Sequence, residues 1–506
     1  MQDHEFATLR RMLSESAISA VGMAAGLVMS YALLGILTRA LSAEDFGAYS
    51  VLVSMLELTL VVVLLGLPQA IDRFTALYNA RDEMGKTRTL VGGTLTAMLA
   101  IGVIGYAVVA LTATPIARTF LGSGGRTTAV IVFASSFPLA LLIRSALAVF
   151  VGFKEARYYV LVDRVLIPAL RLLFGGAVLA LGYGLLGWLG AYSAAMFVGL
   201  LAALALLRRR IQCRLAGVPR QPISVRRILD FAWPLMIVNA AAFVAKDVPV
   251  LWLGRQGAVA SAGTLRLYLQ IAGLFSLVLS AISRIHLPVL TELLSREEGE
   301  TARRTHRRVS KWGFVVGIYG AGALVALGSP LIGSLFTSFY AESYAALLVL
   351  CLGALVRLSC GPGHAALRAM GATRMNLLSA LLGVATLALV GALAIPRLEL
   401  LGAAFAIALA WAVQDGVAAW QAFRRGRFAP FGPSHLRGLI IAAGTAGPIL
   451  ALRHLAGLEG PVWIAIFGVG FTCLYWAGIL LWNVVDPIDR QLLANVLRTR
   501  FRSSSD

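Results

Sequence analysis

The chain is 506 residues long, 59% apolar and only 13% charged, with a mean hydropathy of +0.83. No soluble protein of this length has that composition, because it lacks the polar residues to cover its surface. The formal charge of +20 invites a nucleic-acid reading, but the basic residues sit in connections between apolar stretches. Anionic membrane lipids and insertion topology account for them there, without nucleic acid.

Seven apolar stretches occupy 17–37, 48–67, 90–111, 128–150, 165–181, 185–207 and 231–253. Seven more follow at 265–285, 314–336, 344–366, 377–395, 401–423, 439–454 and 462–482, the thirteenth being the shortest. Most suit tilted helices through a hydrocarbon core of about 30 Å. The charged start leads into a full-length first span, so no cleavable signal peptide is read. The fold class that follows is an all-α polytopic membrane protein of about 14 transmembrane helices.

Of the 44 Lys and Arg, 33 fall on one side of this layout. Six lie on the other: Arg39, Arg118, Arg126, Arg255, Arg397 and Arg453. The positive-inside rule puts the rich side, with both termini, in the cytoplasm. The longest polar connections, 208–230 and 292–311, are basic and cytoplasmic, which leaves little room for an extramembrane catalytic domain. Four cysteines without CxxC spacing and six scattered histidines indicate neither disulfide nor metal, and no Walker motif is present. A transporter without a cofactor, not an enzyme, is the expectation, the helices themselves being the machine.

A six-helix unit recurs. Ala262-Gly263 follows Phe46-Gly47 by 216 residues, Leu287-Pro288 follows Leu67-Pro68 by 220, Gly371 follows Gly152 by 219, and Arg424-Arg425 follows Arg208-Arg209 by 216. Near-constant separation across four connections predicts parallel repeats. The domains read as an N-lobe at 1–210, a basic linker at 211–230, a C-lobe at 231–427, and two further helices with a cytoplasmic tail at 428–506. Fourteen-span major-facilitator proteins place their extra pair between the halves, which here abut.

Arg39, the acidic turn Glu44-Asp45, Phe46-Gly47-Ala48-Tyr49, the glycine-ended second span at Leu65-Gly66 and then Arg73-Phe74 form one pattern. It resembles the N-terminus of polysaccharide transporters in the multidrug/oligosaccharidyl-lipid/polysaccharide exporter superfamily. In the second lobe the Phe-Gly-x-Tyr equivalent has decayed to Ala262-Gly263-Thr264-Leu265. The resemblance implies an inner-membrane flippase for polyprenyl-diphosphate-linked oligosaccharide, serving lipopolysaccharide or exopolysaccharide synthesis, with a polysaccharide polymerase complex as a possible partner. It implies two lobes in a V around a central cavity lined by the first, second, seventh and eighth helices and opening alternately to each side. The last two helices are similar in place to the pair that holds the lipid tail in lipid II flippases.

Charges inside spans need a reason, since each costs at least about 2.5–3.5 kcal/mol. The basic ones are Arg144, Arg171, Lys246, Arg266 and Arg357, and the acidic ones Glu57, Asp247 and Asp415. Arg266 is a cavity residue on the eighth span, or snorkels outward. Lys246 and Asp247, neighbours about 100° apart around a helix, cannot share a face; one or both meet the lumen, or each makes a separate inter-helix contact. Arg357 precedes Gly361-Pro362-Gly363, which should break the tenth span as a hinge or a packing kink. Arg144, a cavity candidate together with Arg357 and Arg39, lies close enough to the cytoplasmic end of the fourth span to snorkel instead, and Arg171 pairs with an acid on a neighbouring helix or contacts the ligand. Glu57 carries a coupling proton or neutralises an Arg; Asp247 and Asp415 are the other ion-coupling candidates, with structure the plainer role for Asp415. Arg39 matches the family's Arg and also suits an interfacial anchor. With five basic to three acidic embedded groups, polysaccharide export leads; a lipid II flippase and a drug or cation antiporter, the latter expected to show an acid-dominated cavity, are the alternatives. An embedded glycosyl- or acyltransferase would need an exterior acid pair or an intramembrane His motif, and neither is seen.

Overall fold

The computed structural model describes residues 2–122, 124–458 and 460–486, and regular structure among them is helical throughout. The tail beyond residue 486, assigned to the cytoplasm by its charge, lies outside the described residues. Helices answer the solvent: with no water to satisfy N–H and C=O groups in hydrocarbon, each segment bonds to itself.

The first compact unit is Met1–Leu267. It comprises α1 (Gln2–Ala40), α2 (Ala43–Leu64), α3 (Leu67–Ala80), α4 (Met84–Leu111), α5 (Ala113–Phe120), α6 (Thr127–Ala134), α7 (Ser136–Gly152) and α8 (Ala156–Tyr159). A π-helical segment, Val160–Leu166, leads into α9 (Ile167–Ala180), followed by α10 (Gly184–Leu207), α11 (Cys213–Leu215), α12 (Val225–Arg255) and the start of α13 (Val259–Ser295). Ser42 caps α2 by accepting from the Asp45 N–H at 3.1 Å, and left-handed Leu65 and Gly66 end it before Pro68 opens α3. The fourth apolar stretch divides at Ser135 into α6 and α7, because Pro138 has no N–H for the Ala134 carbonyl.

Two anchors of the sequence repeat meet in this unit. A Cβ on Gly263 would stand 2.9 Å from the Gly47 Cα and 3.0 Å from the Phe46 ring. Only glycine permits so close a crossing. Apolar burial cannot drive helix association in lipid, so close backbone packing of this kind holds the segments together. α2 packs along α12, and Trp188, 0% exposed, anchors an aromatic cluster with Tyr49, Phe133 and Tyr192.

The second unit, Tyr268–Asp506, holds the rest of α13, then α14 (Gly299–Leu335), α15 (Ser338–Glu342), α16 (Tyr344–Cys360), α17 (Pro362–Ala369), α18 (Thr373–Gly426), α19 (Pro433–Ala456) and α20 (Pro461–Leu481). The 54-residue α18 carries both the eleventh and twelfth apolar stretches. It breaks at Glu399 (φ 44°, ψ −116°), and Gly383 packs on Gln414 while Gly402 packs on Ala394, so its legs run antiparallel. Ten helices among the described residues are long and apolar enough to cross a membrane, α18 counting as one of them. All fourteen apolar stretches lie on helical segments, and the protein is a multi-pass membrane protein.

α14 kinks at Gly328 (φ 66°) two residues before Pro330, which strands the Ala326 carbonyl. Arg453 of α19, 3% exposed, takes up the freed groups: its Nη1 donates to the Ala326 oxygen at 3.3 Å and to the Leu327 oxygen. Arg453, one of the six basic residues counted on the side opposite the cytoplasm, is thus a buried cap for another helix's kink. α19 and α20 pack on α14 through Phe314, Val315, Ile441, Phe471 and Tyr475, and the Tyr475 hydroxyl donates to the Val315 carbonyl at 2.8 Å. The break expected at Gly361-Pro362-Gly363 is present, separating α16 from α17.

Candidate functional site

α2 is a largely apolar helix in which Ser54 and Glu57 stand mid-way, three positions apart and so on one face. Asp247 on α12 is fully buried and Arg266 on α13 nearly so, with side chains 0% and 15% exposed. Arg266 Nη1 donates to Asp247 Oδ1 at 2.7 Å and to Ser54 Oγ at 3.0 Å. The Ser54 hydroxyl spends its one proton on the same Asp247 oxygen, at 3.0 Å. Every proton in this triangle has one acceptor. Asp247 Oδ2 is buried without a hydrogen bond among the described residues.

One turn further along α2, Glu57 receives Arg144 of α7, whose Nη2 reaches both carboxylate oxygens at 2.7 and 2.8 Å. Lys246 is exposed, while lying within electrostatic reach of Glu57, Asp247 and Arg266. Its neighbour Asp247 turns to Arg266, as the 100° offset along a helix requires. Among the described residues Arg171 meets no acid within ion-pair distance; its guanidinium lies 3.8 Å from the Tyr192 ring centroid, a cation–π contact. Arg39 is exposed in the last turn of α1, where the helix dipole favours a cation.

The second unit holds a separate polar cluster. Asp415 on α18, 2% exposed, faces Arg357 of α16 with Nε 3.6 Å from Oδ2. His364 of α17 comes closer, its Nε2 standing 2.8 Å from Asp415 Oδ1. The other His364 nitrogen, Nδ1, is 2.8 Å from Asn376 Oδ1. Each of the three embedded acids therefore meets an embedded arginine.

The family described as "Polysaccharide biosynthesis protein" matches residues 13–294. The chain belongs to this polysaccharide biosynthesis family. Its fold is that of the MOP superfamily transporters. An inward-facing multidrug resistance MATE family transporter of that superfamily superposes with a TM-score of 0.67 at 15% identity, covering 81% of this chain and 98% of that one. The lipid II flippase MurJ, in an inward closed conformation, also scores 0.67 at 12% identity, covering 95% and 100%. A variant of the Vibrio cholerae MATE transporter VcmN scores 0.56 at 12% identity, covering 82% and 96%. No sequence match is found among curated proteins.

The stretch matching the polysaccharide biosynthesis family contains the Ser54, Glu57, Arg144, Asp247 and Arg266 groupings and ends before Arg357, His364, Asn376 and Asp415. Sequence reasoning passed over Ser54, His364 and Asn376. Ser54 had a signal, its three-residue spacing from Glu57. His364 had one too, seven residues and two turns from Arg357 across the glycine–proline break.

Proposed function

We propose that the chain is a flippase, not an enzyme. It moves polyprenyl-diphosphate-linked oligosaccharide repeat units across a bacterial inner membrane by alternating access, with both termini cytoplasmic. Membership of the polysaccharide biosynthesis family supports the substrate class, and the transporter fold supports the mode of action. The observation that carries the reading is Lys246: an exposed ammonium on a membrane helix, beside one carboxylate already committed to Arg266 and another committed to Arg144. With both acids neutralised, Lys246 and the Arg171 side chain over Tyr192 are left as cationic groups suited to a diphosphate or an acidic sugar. Arg266 and Arg144, each balanced by its acid, serve as fixed polar walls of that site, held in place by their partners.

Vesicles containing the purified protein and a defined lipid-linked oligosaccharide test this reading. Lys246→Ala should cut transport at least tenfold and Lys246→Arg should restore most of it, at unchanged abundance. Equal transport by both variants removes Lys246 from the substrate path. Reporter fusions at Ser310 and at the C-terminus should both report cytoplasm; an exterior signal at either sinks the topology. A second reading, transport of lipid II, has one observation in its favour. The fold likeness to MurJ extends over 95% of this chain, against 81% for the MATE transporter. Supplying lipid II to the same vesicles separates the two cargoes.

A further inference from the structure

The tautomer of His364 follows from its surroundings. A backbone carbonyl can only accept, so the contact between Asn376 and the His364 carbonyl, at 3.2 Å, must come from the Asn376 NH2 group. That orients the Asn376 amide and leaves Oδ1, an acceptor, facing His364 Nδ1 at 2.8 Å. His364 Nδ1 therefore carries a proton. If the ring were neutral it would then present a bare lone pair at Nε2, and Nε2 stands 2.8 Å from a carboxylate oxygen of a residue only 2% exposed. Two acceptors at that distance, out of water, repel. The contact requires one further proton, on Nε2 as an imidazolium or on Asp415 Oδ1 as a carboxylic acid.

We infer that His364 and Asp415 together bind one exchangeable proton, and that Arg357 competes with this proton for Asp415. The inference rests on the transport reading in one respect: it makes this proton the coupling ion of the flippase. The geometry carries the competition. Asp415 Oδ2 is buried with no hydrogen bond among the described residues, while Arg357 Nε waits 3.6 Å away, beyond hydrogen-bond length. With the proton present, Arg357, His364 and Asp415 sum to one positive charge, and Asp415 is held by His364. When the proton leaves, the sum falls to zero. Nε2 and Oδ1 then repel, and the carboxylate's natural partner becomes the guanidinium.

The two competitors sit on opposite sides of a break. Arg357 is on α16 and His364 on α17, with Gly361 between them. Gly363 lies against the Ala418–Ala419 backbone of α18, with a would-be Cβ 2.9 Å from the Ala419 Cα, and this close approach delivers His364 to Asp415. Exchanging His364 for Arg357 on Asp415 thus transfers the hold on α18 from α17 to α16 across the flexible junction. The charged and titratable groups facing the pair are Arg357 and Cys360 from α16, Cys360 being close enough to feel the Asp415 charge, and Arg368 from α17, whose Nε donates to the His364 carbonyl at 3.3 Å. Arg357 also lies 5.4 Å from the Trp411 ring centroid, one turn from Asp415, a contact that steadies the guanidinium while it is not bonded.

Nitrogen-15 NMR of the full-length, histidine-labelled protein tests the proton site without any cargo. His364, identified by loss of its signals in His364→Gln, should keep a proton on Nδ1 across the titration, and its Nε2 signal should move in a single step. Asp415→Asn supplies an amide N–H to Nε2 and so preserves the fold while imitating the permanently protonated state; it should abolish that step. An unprotonated Nδ1, or a titration unchanged in Asp415→Asn, overturns the site. In vesicles, an imposed pH gradient should accelerate transport by the natural chain and leave Asp415→Asn unaffected. A gradient response surviving in Asp415→Asn overturns the coupling. If the natural chain carries no lipid-linked oligosaccharide at all, the transport reading and the coupling fall together, and the NMR titration still decides the proton site.

Discussion

The two units bury the same kinds of residue and use them differently. In the first, Asp247 and Glu57 each bond an arginine directly at 2.7 Å, and Ser54 completes the triangle around Asp247. In the second, Asp415 keeps its arginine at 3.6 Å and gives its short contact to a histidine. A carboxylate bonded to a permanently charged guanidinium is a fixed counter-ion, since Arg does not release its proton. A carboxylate bonded to imidazole shares a partner that gains and loses protons near neutrality. The first arrangement positions charge. The second can change it. Glu57, a coupling candidate by sequence, is committed to Arg144 in this structure, and Asp415 occupies the setting in which protonation alters a contact.

The sharpest way to break this contrast is to remove Asp247. Asp247→Ala leaves Arg266 buried and unpaired, a loss expected to cost about 3–5 kcal/mol. Thermal melts of the detergent-purified protein should show it as the largest destabilisation in the set, and Asp247→Ala with Arg266→Met should regain most of it. A single variant as stable as the natural chain would falsify the committed pair. Glu57→Gln comes next. It keeps the shape but loses a charge-assisted bond worth about 1.5–3 kcal/mol, and the same melts should place it between Asp247→Ala and all variants of the second unit. The response of transport to a pH gradient should persist in Glu57→Gln; its disappearance there would move the coupling role back to α2.

In the second unit, Asp415→Asn should cost less, about 1 kcal/mol, because the amide still donates to His364. A penalty as large as that of Asp247→Ala would mean that Asp415 is a fixed counter-ion after all. The smallest effect belongs to Arg357→Gln, within about 0–1 kcal/mol, since a guanidinium 3.6 Å from its acid contributes little in the protonated state. Its effect should grow as the pH of the melt rises and the dyad loses its proton. A pH-independent difference contradicts the competition between Arg357 and the proton.

Much of the architecture was legible in one dimension. Apolar runs of helix-spanning length marked where α2, α4, α10 and α20 lie, and the Gly361-Pro362-Gly363 break was readable because proline and glycine act on their own backbone. The repeat anchors Phe46-Gly47 and Ala262-Gly263 were readable too, though not that they touch. The eight embedded charges were visible as exceptions to an apolar background. Their partners were not. Glu57 and Arg144 are 87 residues apart and Ser54 and Asp247 are 193 apart, and no spacing along the chain encodes such distances.

The sequence by itself determined that this is a helical membrane protein, which segments are apolar helices, that the chain breaks at Gly361-Pro362-Gly363, and which residues are too polar for an apolar span without a reason. All of these are consequences of local solvation and local backbone chemistry. The tertiary structure alone decided that Arg453 caps the α14 kink, that Arg171 lies on Tyr192, that Asp247 turns to Arg266 while Lys246 stays exposed, and that Asp415 gives its short contact to His364 while Arg357 stands 3.6 Å from its other oxygen. Those outcomes depend on how each helix is rotated about its axis and where it crosses its neighbours. Close packing sets both, and packing is a property of pairs of surfaces that no single segment contains.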